Sequence, residues 1–399
     1  MLLSLSLIIL LGFTFSEIAF RIKLPRIVGM LLAGVVLGPF VLNLIAPEVL
    51  AISLDLRQIA LVIILLRAGL SLNLKDLKKV GRHAILMAFV PATFEIIGAL
   101  VLGPLLLGMT LLESAIMGTI LAAVSPVVVV PKMLKLMNEG VGTKKSIPQM
   151  IVAGASADDI FVIVLFTSLV SMAREGNFSL LTFVKLPISV ILGIGVGILL
   201  GLAMVWFFKK FHLRDTSKVL IIISFVLFLV TVERLDYFPF SGLLATVALG
   251  ITLLAKYPVL ANRLVLKYEK IWVFAEMLLF VLVGAAVDIT TIPSIGLWAV
   301  ILVLGMLVFR SIGVYLATLG KTLSFKEQLF AIFAYLPKAT VQASISSIPL
   351  ALGISNGGTM LTVAVLAILI TAPIGALLID LTAKPLLGKG LLEIESNNG

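Results

Sequence analysis

Apolar residues fill this chain in runs of about twenty, each closed by a short cluster of charged residues, glycine or proline. A run of that length matches what an α-helix needs to cross the hydrocarbon core of a bilayer, roughly 20 residues. The pattern predicts thirteen spans, over 2–20, 26–45, 53–72, 84–107, 112–135, 147–172, 181–208, 217–233, 238–255, 269–288, 293–319, 327–352 and 357–383. The expected fold is therefore all-α and polytopic.

The polar positions between the runs test this partition. Taken alternately from the first loop to the C-terminal tail, the loops hold 23 of the 30 lysines and arginines. The opposite side holds four, Arg57, Arg174, Lys185 and Arg234, and Arg67, Arg310 and Lys338 fall inside spans. Basic residues accumulate on the cytoplasmic side, so the N-terminus is expected outside and the C-terminus inside. The net charge of +10 is thereby a mark of topology and not a nucleic-acid footprint. Composition agrees: 61% of residues are hydrophobic and 13% charged, which leaves little chain for a soluble domain. The absence of cysteine excludes disulfides, thiol chemistry and cysteine metal sites. The first run lacks a basic lead and exceeds a signal peptide's apolar core, so it reads as the first span.

Two spans are interrupted. Span five reads ILAAVSPVVVVPKM, with Pro126 and Pro131, and span twelve reads FAYLPKATVQASISSIP, with Pro337. Proline removes a backbone donor and clashes with the preceding turn, and in lipid the freed groups must be satisfied by protein or by a water-filled cavity. One ionisable residue stands in the span before each break, Glu95 and Arg310. Interrupted helices at corresponding places in two halves point to the binding site of a secondary transporter.

Asp158 and Asp159 are adjacent in MIVAGASADDIFVIVLF, far from either loop. A carboxylate at mid-bilayer costs about 2.5–3.5 kcal/mol on insertion scales, and two in succession serve no structural end that one polar residue could not. Neighbouring carboxylates in a low dielectric disfavour each other's ionisation, so the pair can hold protons or release them and accept a hard cation. The further oxygens at hand are the hydroxyls of Ser125 and Ser156, with Ser156 three residues from Asp159 on nearly the same face, and carbonyls freed at the breaks. Protons and a cation competing for the same oxygens would give exchange. Arg310 requires a carboxylate partner, with Glu95, Asp158 and Asp159 as candidates, and it does not titrate. Lys338, directly after Pro337, can offset carbonyl ends or pair with an aspartate. Arg67 and Glu276 are second-rank candidates, and both histidines, His83 and His212, fall in loops.

Together, ILAAVSPVVVVPKM, ASADDI, the arginine of span eleven and AYLPKATVQASI resemble the cation–proton antiporter superfamily, most closely its electrogenic double-aspartate branch, the bacterial and animal NHA-type sodium–proton exchangers. LRQIALVIILLRAGLSL and LPRIVGMLLAGVVLGP extend the resemblance over nearly the whole chain. It implies thirteen helices in inverted repeats with two crossed discontinuous helices, a homodimer, and a bacterial cytoplasmic membrane location. It also implies a scaffold (1–72 and 217–288), a mobile core (84–172 and 293–383), a linker helix (181–208) and a cytoplasmic tail (384–399). Na⁺, or Li⁺, would bind at Asp159 with Asp158, and two protons would return for each cation in an elevator-like cycle. Asp158 would alternate between a proton and a salt bridge to Lys338 or Arg310, with Glu95 taking Arg310 when Asp158 does not. No cofactor is implied, and no enzyme activity. Related bacterial exchangers often carry lysine where Arg310 stands, which argues against a mechanism in which this basic residue loses a proton. K⁺ or broad monovalent selectivity is the alternative. An organic-anion symporter is disfavoured by the aspartate pair, and an intramembrane aspartyl protease, which needs its two aspartates on facing helices, is remote.

Overall fold

The computed structural model describes residues 1–71, 82–175, 180–234, 240–320 and 323–388. Among these residues every regular element is helical. Eight helical stretches are long and apolar enough to cross a membrane, and two shorter apolar helices accompany them. The chain forms two compact units, one from 1–50, 73–162 and 280–399 and the other from 51–72 and 163–279.

The first unit contains α1 (Leu2–Arg21), α2 (Arg26–Leu37), α4 (Arg82–Leu107), α5 (Leu111–Ala122), α6 (Pro126–Asn138) and the front of α7 (Ile147–Glu175). It continues with the end of α11 (Pro258–Ala285), then α12 (Ile292–Thr318), α13 (Phe325–Ala334), α14 (Thr340–Ile345) and α15 (Gly357–Leu387). The second unit holds α3 (Ser53–Ser71), the rest of α7, α8 (Leu180–Lys210), α9 (Asp215–Arg234), α10 (Gly242–Lys256) and most of α11.

Because lipid offers no hydrophobic drive between helices, small residues that let backbones approach do the joining. In the first unit a Cβ on Gly34 of α2 would lie 2.0 Å from the Val281 carbonyl of α11, and one on Gly284 would lie 2.1 Å from the Leu31 carbonyl. In the second, Gly193, Gly197 and Gly201 of α8 fit in the same way against Ser241, Ala245 and Thr252. The pair that carries the site is α4 and α12. Gly313 meets Pro91, Gly98 meets the Phe309 ring and Gly305 meets Leu102. These pairings run in opposite senses along the two helices, so α4 and α12 are antiparallel.

Two boundaries depart from the hydropathy pattern. Helix α2 stops at Leu37, because Gly38-Pro39 supplies the break that an apolar run conceals. Helix α11 begins at Pro258, eleven residues before the expected span, which puts Arg263, Lys267 and Lys270 on a helix and not in a loop. Leu260, Leu264, Tyr268 and Trp272 are buried at every fourth position there, an amphipathic face that a hydropathy average misses. Arg57, counted among the four basic residues of the outer side, sits near the start of α3 at 4% exposure and bonds back to Ser53. Arg67 pairs with Glu269 at 3.6 Å. Lys75, Lys78, Lys79, Lys321 and Lys389 lie outside the described residues, as do the side chains of Arg174, Lys185 and Arg234.

Candidate functional site

Both interrupted spans are broken in the structure. Span five becomes α5 and α6, joined by the extended residues 123–125 with Pro126 opening α6. Span twelve becomes α13 and α14, joined by residues 335–339, which contain Pro337. The breaks meet: the Ser125 N–H donates to the Pro337 carbonyl at 2.8 Å. The Gln342 side chain accepts from the Ala339 N–H at 2.8 Å and donates to the Ala123 carbonyl at 2.8 Å. The Lys338 N–H donates to Thr371 Oγ1 of α15 at 2.9 Å. The backbone groups freed by the breaks thus have protein partners, as a low-dielectric interior requires.

The charged side chains converge on the same place. Arg310 on α12 is fully buried. Its Nη1 donates to Glu95 Oε2 at 2.6 Å and to the Ala122 carbonyl, its Nη2 to Asp158 Oδ2 at 3.0 Å, and its Nε to the Tyr335 carbonyl at 2.6 Å. One guanidinium therefore closes the carbonyl ends of both α5 and α13 and binds two carboxylates. The carbonyl ends of helices carry partial negative charge, which adds to the reason a cation stands there. Lys338, 1% exposed, donates to Glu95 Oε2 at 2.6 Å. Asp158 Oδ2 also accepts the Val124 N–H at 2.9 Å, a donor released by the first break.

This arrangement orders the sequence candidates. Asp158 pairs with Arg310 and not with Lys338, and Arg310 holds Glu95 and Asp158 at the same time. The two partners of Arg310 are simultaneous here, not alternatives. Asp159 is 8% exposed and has no hydrogen bond on Oδ1, and the Ser125 hydroxyl and Asp158 Oδ1 are likewise without partners. The Ser156 side chain lies outside the described residues. Glu276 and His212 belong to the second unit. Among the described residues no group of three or more His, Cys, Asp or Glu side chains forms a metal-binding cluster.

Three participants had no signal in the sequence strong enough to single them out: Tyr335, Gln342 and Thr371. The Tyr335 hydroxyl presses on Gly154, where a Cβ would stand 2.1 Å away, and Gly154 lies one turn before Asp158. Its ring faces the Arg310 guanidinium at 5.3 Å. For Tyr335 and Gln342, their place in AYLPKATVQ is the hint that the sequence offers, and Thr371 has none.

The charge count gives the site its character. Glu95 and Asp158 pair with Arg310 and Lys338, and Asp159 follows Asp158 in the chain, so with every group ionised three negative charges stand with two positive ones. One negative charge is left over. Among the described residues no ion pair to Asp159 accompanies those of Glu95 and Asp158.

Comparison with known proteins points the same way. Residues 5–384 match the family model described as sodium/hydrogen exchanger, transmembrane. The chain is 35% identical over 384 residues to sodium/hydrogen exchanger 9B2 of Homo sapiens, covering 92% of this chain and 70% of that protein. It is 35% identical over 356 residues to the Xenopus tropicalis protein of the same name, covering 84% of this chain and 64% of the relative's length. The fold is similar to that of the sodium proton antiporter MjNhaP1 from Methanocaldococcus jannaschii, with a TM-score of 0.83, 20% identity, and coverage of 96% of this chain and 98% of that one. On this sequence match, the chain belongs to the sodium/hydrogen exchanger family, whose members are membrane transporters and not enzymes.

Proposed function

We propose that this protein exchanges Na⁺ or Li⁺ for protons, two protons per cation, with Asp159 as the principal cation ligand. The observation that carries this reading is the set of buried carboxylate oxygens without partners at the aspartate pair, where one negative charge is left over when every group is ionised. A hard cation seeks oxygen ligands, and the unpartnered oxygens of Asp159, Asp158 and Ser125 are of that kind. When the cation leaves, Asp159 takes a proton in its place. Asp158 takes the second, and a neutral Asp158 gives up its ion pair with Arg310, whose bonds to Glu95 and to the Ala122 and Tyr335 carbonyls keep the guanidinium satisfied. Arginine stays charged throughout, and this reading assigns both protons to the two aspartates. One cation against two protons moves one net charge per cycle, which places the chain in the electrogenic double-aspartate branch.

The same reading takes α5–α6 and α13–α14 as two crossed discontinuous helices in a thirteen-span inverted repeat. The core 84–172 with 293–383 moves in an elevator-like way against the scaffold of a homodimer in the bacterial cytoplasmic membrane, with the N-terminus outside. Proteoliposomes with an internal pH dye test the ion and the ligand together. Na⁺ or Li⁺ should drive proton movement in the wild type, K⁺ should not, and Asp159→Ala should be silent. Undiminished exchange in Asp159→Ala would sink the proposal, and K⁺-driven flux equal to that of Na⁺ would favour the broad-selectivity alternative.

A further inference from the structure

The two interrupted helices begin in the same way. Thr110 and Glu113 form a reciprocal capping box at the start of α5, and Ser324 and Glu327 form one at the start of α13. Each box follows a buried charge of the site at nearly equal distance, Glu95 by 18 residues and Arg310 by 17. The unbroken helix that comes after each interrupted one also begins alike. Ser146, at φ 52°, precedes α7, and Asn356, at φ 59°, precedes α15.

In each box the glutamate carries a further bond that leaves its own helix. Asn356 Nδ2 donates to Glu113 Oε1 at 3.2 Å, and Lys145 Nζ donates to Glu327 Oε2 at 2.8 Å. Lys145 stands one residue before Ser146, so both donors sit at the entry of an unbroken helix. The bonds also exchange partners between the halves, since Glu113 reaches forward to α15 and Glu327 reaches back to α7.

These bonds restrain the ends of α5 and α13 that lie away from the site. At the other ends, the carbonyls of Ala122, Ala123 and Tyr335 receive Arg310 and Gln342. A front segment free at its start would pivot and carry those carbonyls off Arg310, and a misplacement of about 1 Å at a reacting centre can cost a hundredfold in rate. Glu113 is 7% exposed and takes donors from Thr110 N, Thr110 Oγ1 and Asn356. Parting from Asn356 would leave a carboxylate oxygen unmet in a buried place.

We propose that Glu113–Asn356 and Glu327–Lys145 are equivalent positioning latches that join each front segment to the opposite unbroken helix, so that the two move as one piece during transport. This rests on the exchange reading above. The natural absence of cysteine makes the test direct. Glu113→Cys with Asn356→Cys, and separately Lys145→Cys with Glu327→Cys, are reconstituted and joined with a short reductant-cleavable thiol cross-linker. Cross-linking yield should be the same with and without Na⁺ and at acid and alkaline pH. Sodium-driven proton flux after cross-linking should stay within about twofold of the unlinked protein, a change worth well under 1.4 kcal/mol of barrier. Flux that stops on cross-linking and returns on cleavage, or a yield that falls when Na⁺ is added, would show pairs that part in each cycle and would overturn the latch.

Wild-type vesicles run in parallel separate the two ideas. Silent wild type strikes the exchange reading, while the dependence of yield on Na⁺ and pH still judges the latch. Should the paired variants fail to fold, Lys145→Glu is expected to lower both flux and detergent melting temperature, and Lys145→Arg to keep both. Equal loss in the two would overturn the Glu327 half of the proposal.

Discussion

Arg310 bonds to four elements at once: Glu95 on α4, the end of α5, Asp158 on α7 and the Tyr335 carbonyl after α13. The guanidinium plane offers five N–H donors in a fixed fork, and four contacts in several directions need that shape. A lysine ammonium keeps the charge but has three donors at one point. Arg310→Lys is therefore expected to retain the ion pair with one carboxylate and to lose a carbonyl contact. Each buried group so orphaned costs about 1–3 kcal/mol. Proton flux should drop about tenfold or more and the detergent melting temperature should fall; equal flux in Arg310→Lys would show that charge alone is required. The charged residues of the site were legible in the sequence because each is too costly in lipid to be accidental. Tyr335 and Thr371 were not. Tyr335 acts on Arg310 through its backbone carbonyl, and the hydroxyl of Thr371 serves a backbone N–H, roles that no residue type announces.

Helix breaks join residue chemistry to the elements. Proline located both, Pro126 at the first turn of α6 and Pro337 between α13 and α14. What proline could not reveal is how the freed groups would be met. Gln342 meets two of them, the Ala339 N–H of its own break and the Ala123 carbonyl of the other. Gln342→Leu keeps the volume and abandons both, so it is expected to destabilise the protein by about 2–6 kcal/mol, two unmet groups at about 1–3 each. Thermal melting in detergent measures this, and an unshifted transition would mean that water or a neighbour serves those groups. Other element boundaries were misread where hydropathy averages over structure. The apolar residues after Gly38 look like more span, and the amphipathic start of α11 looks like loop. Only packing decides such cases.

For the whole molecule the governing quantity is charge. Two units of different make-up form the chain, and the first contains every group of the candidate site, which with every group ionised has one negative charge more than its two cations offset. A cycle that fills this site alternately with one cation and two protons must move charge across the membrane. Solid-supported-membrane recording on reconstituted wild type, with a Na⁺ step at equal pH on both sides, reads that charge directly. The expected result is a transient current in which positive charge leaves the compartment that sodium enters, absent in Asp159→Asn. Sodium-driven proton flux with no accompanying current in the wild type would contradict the two-proton exchange.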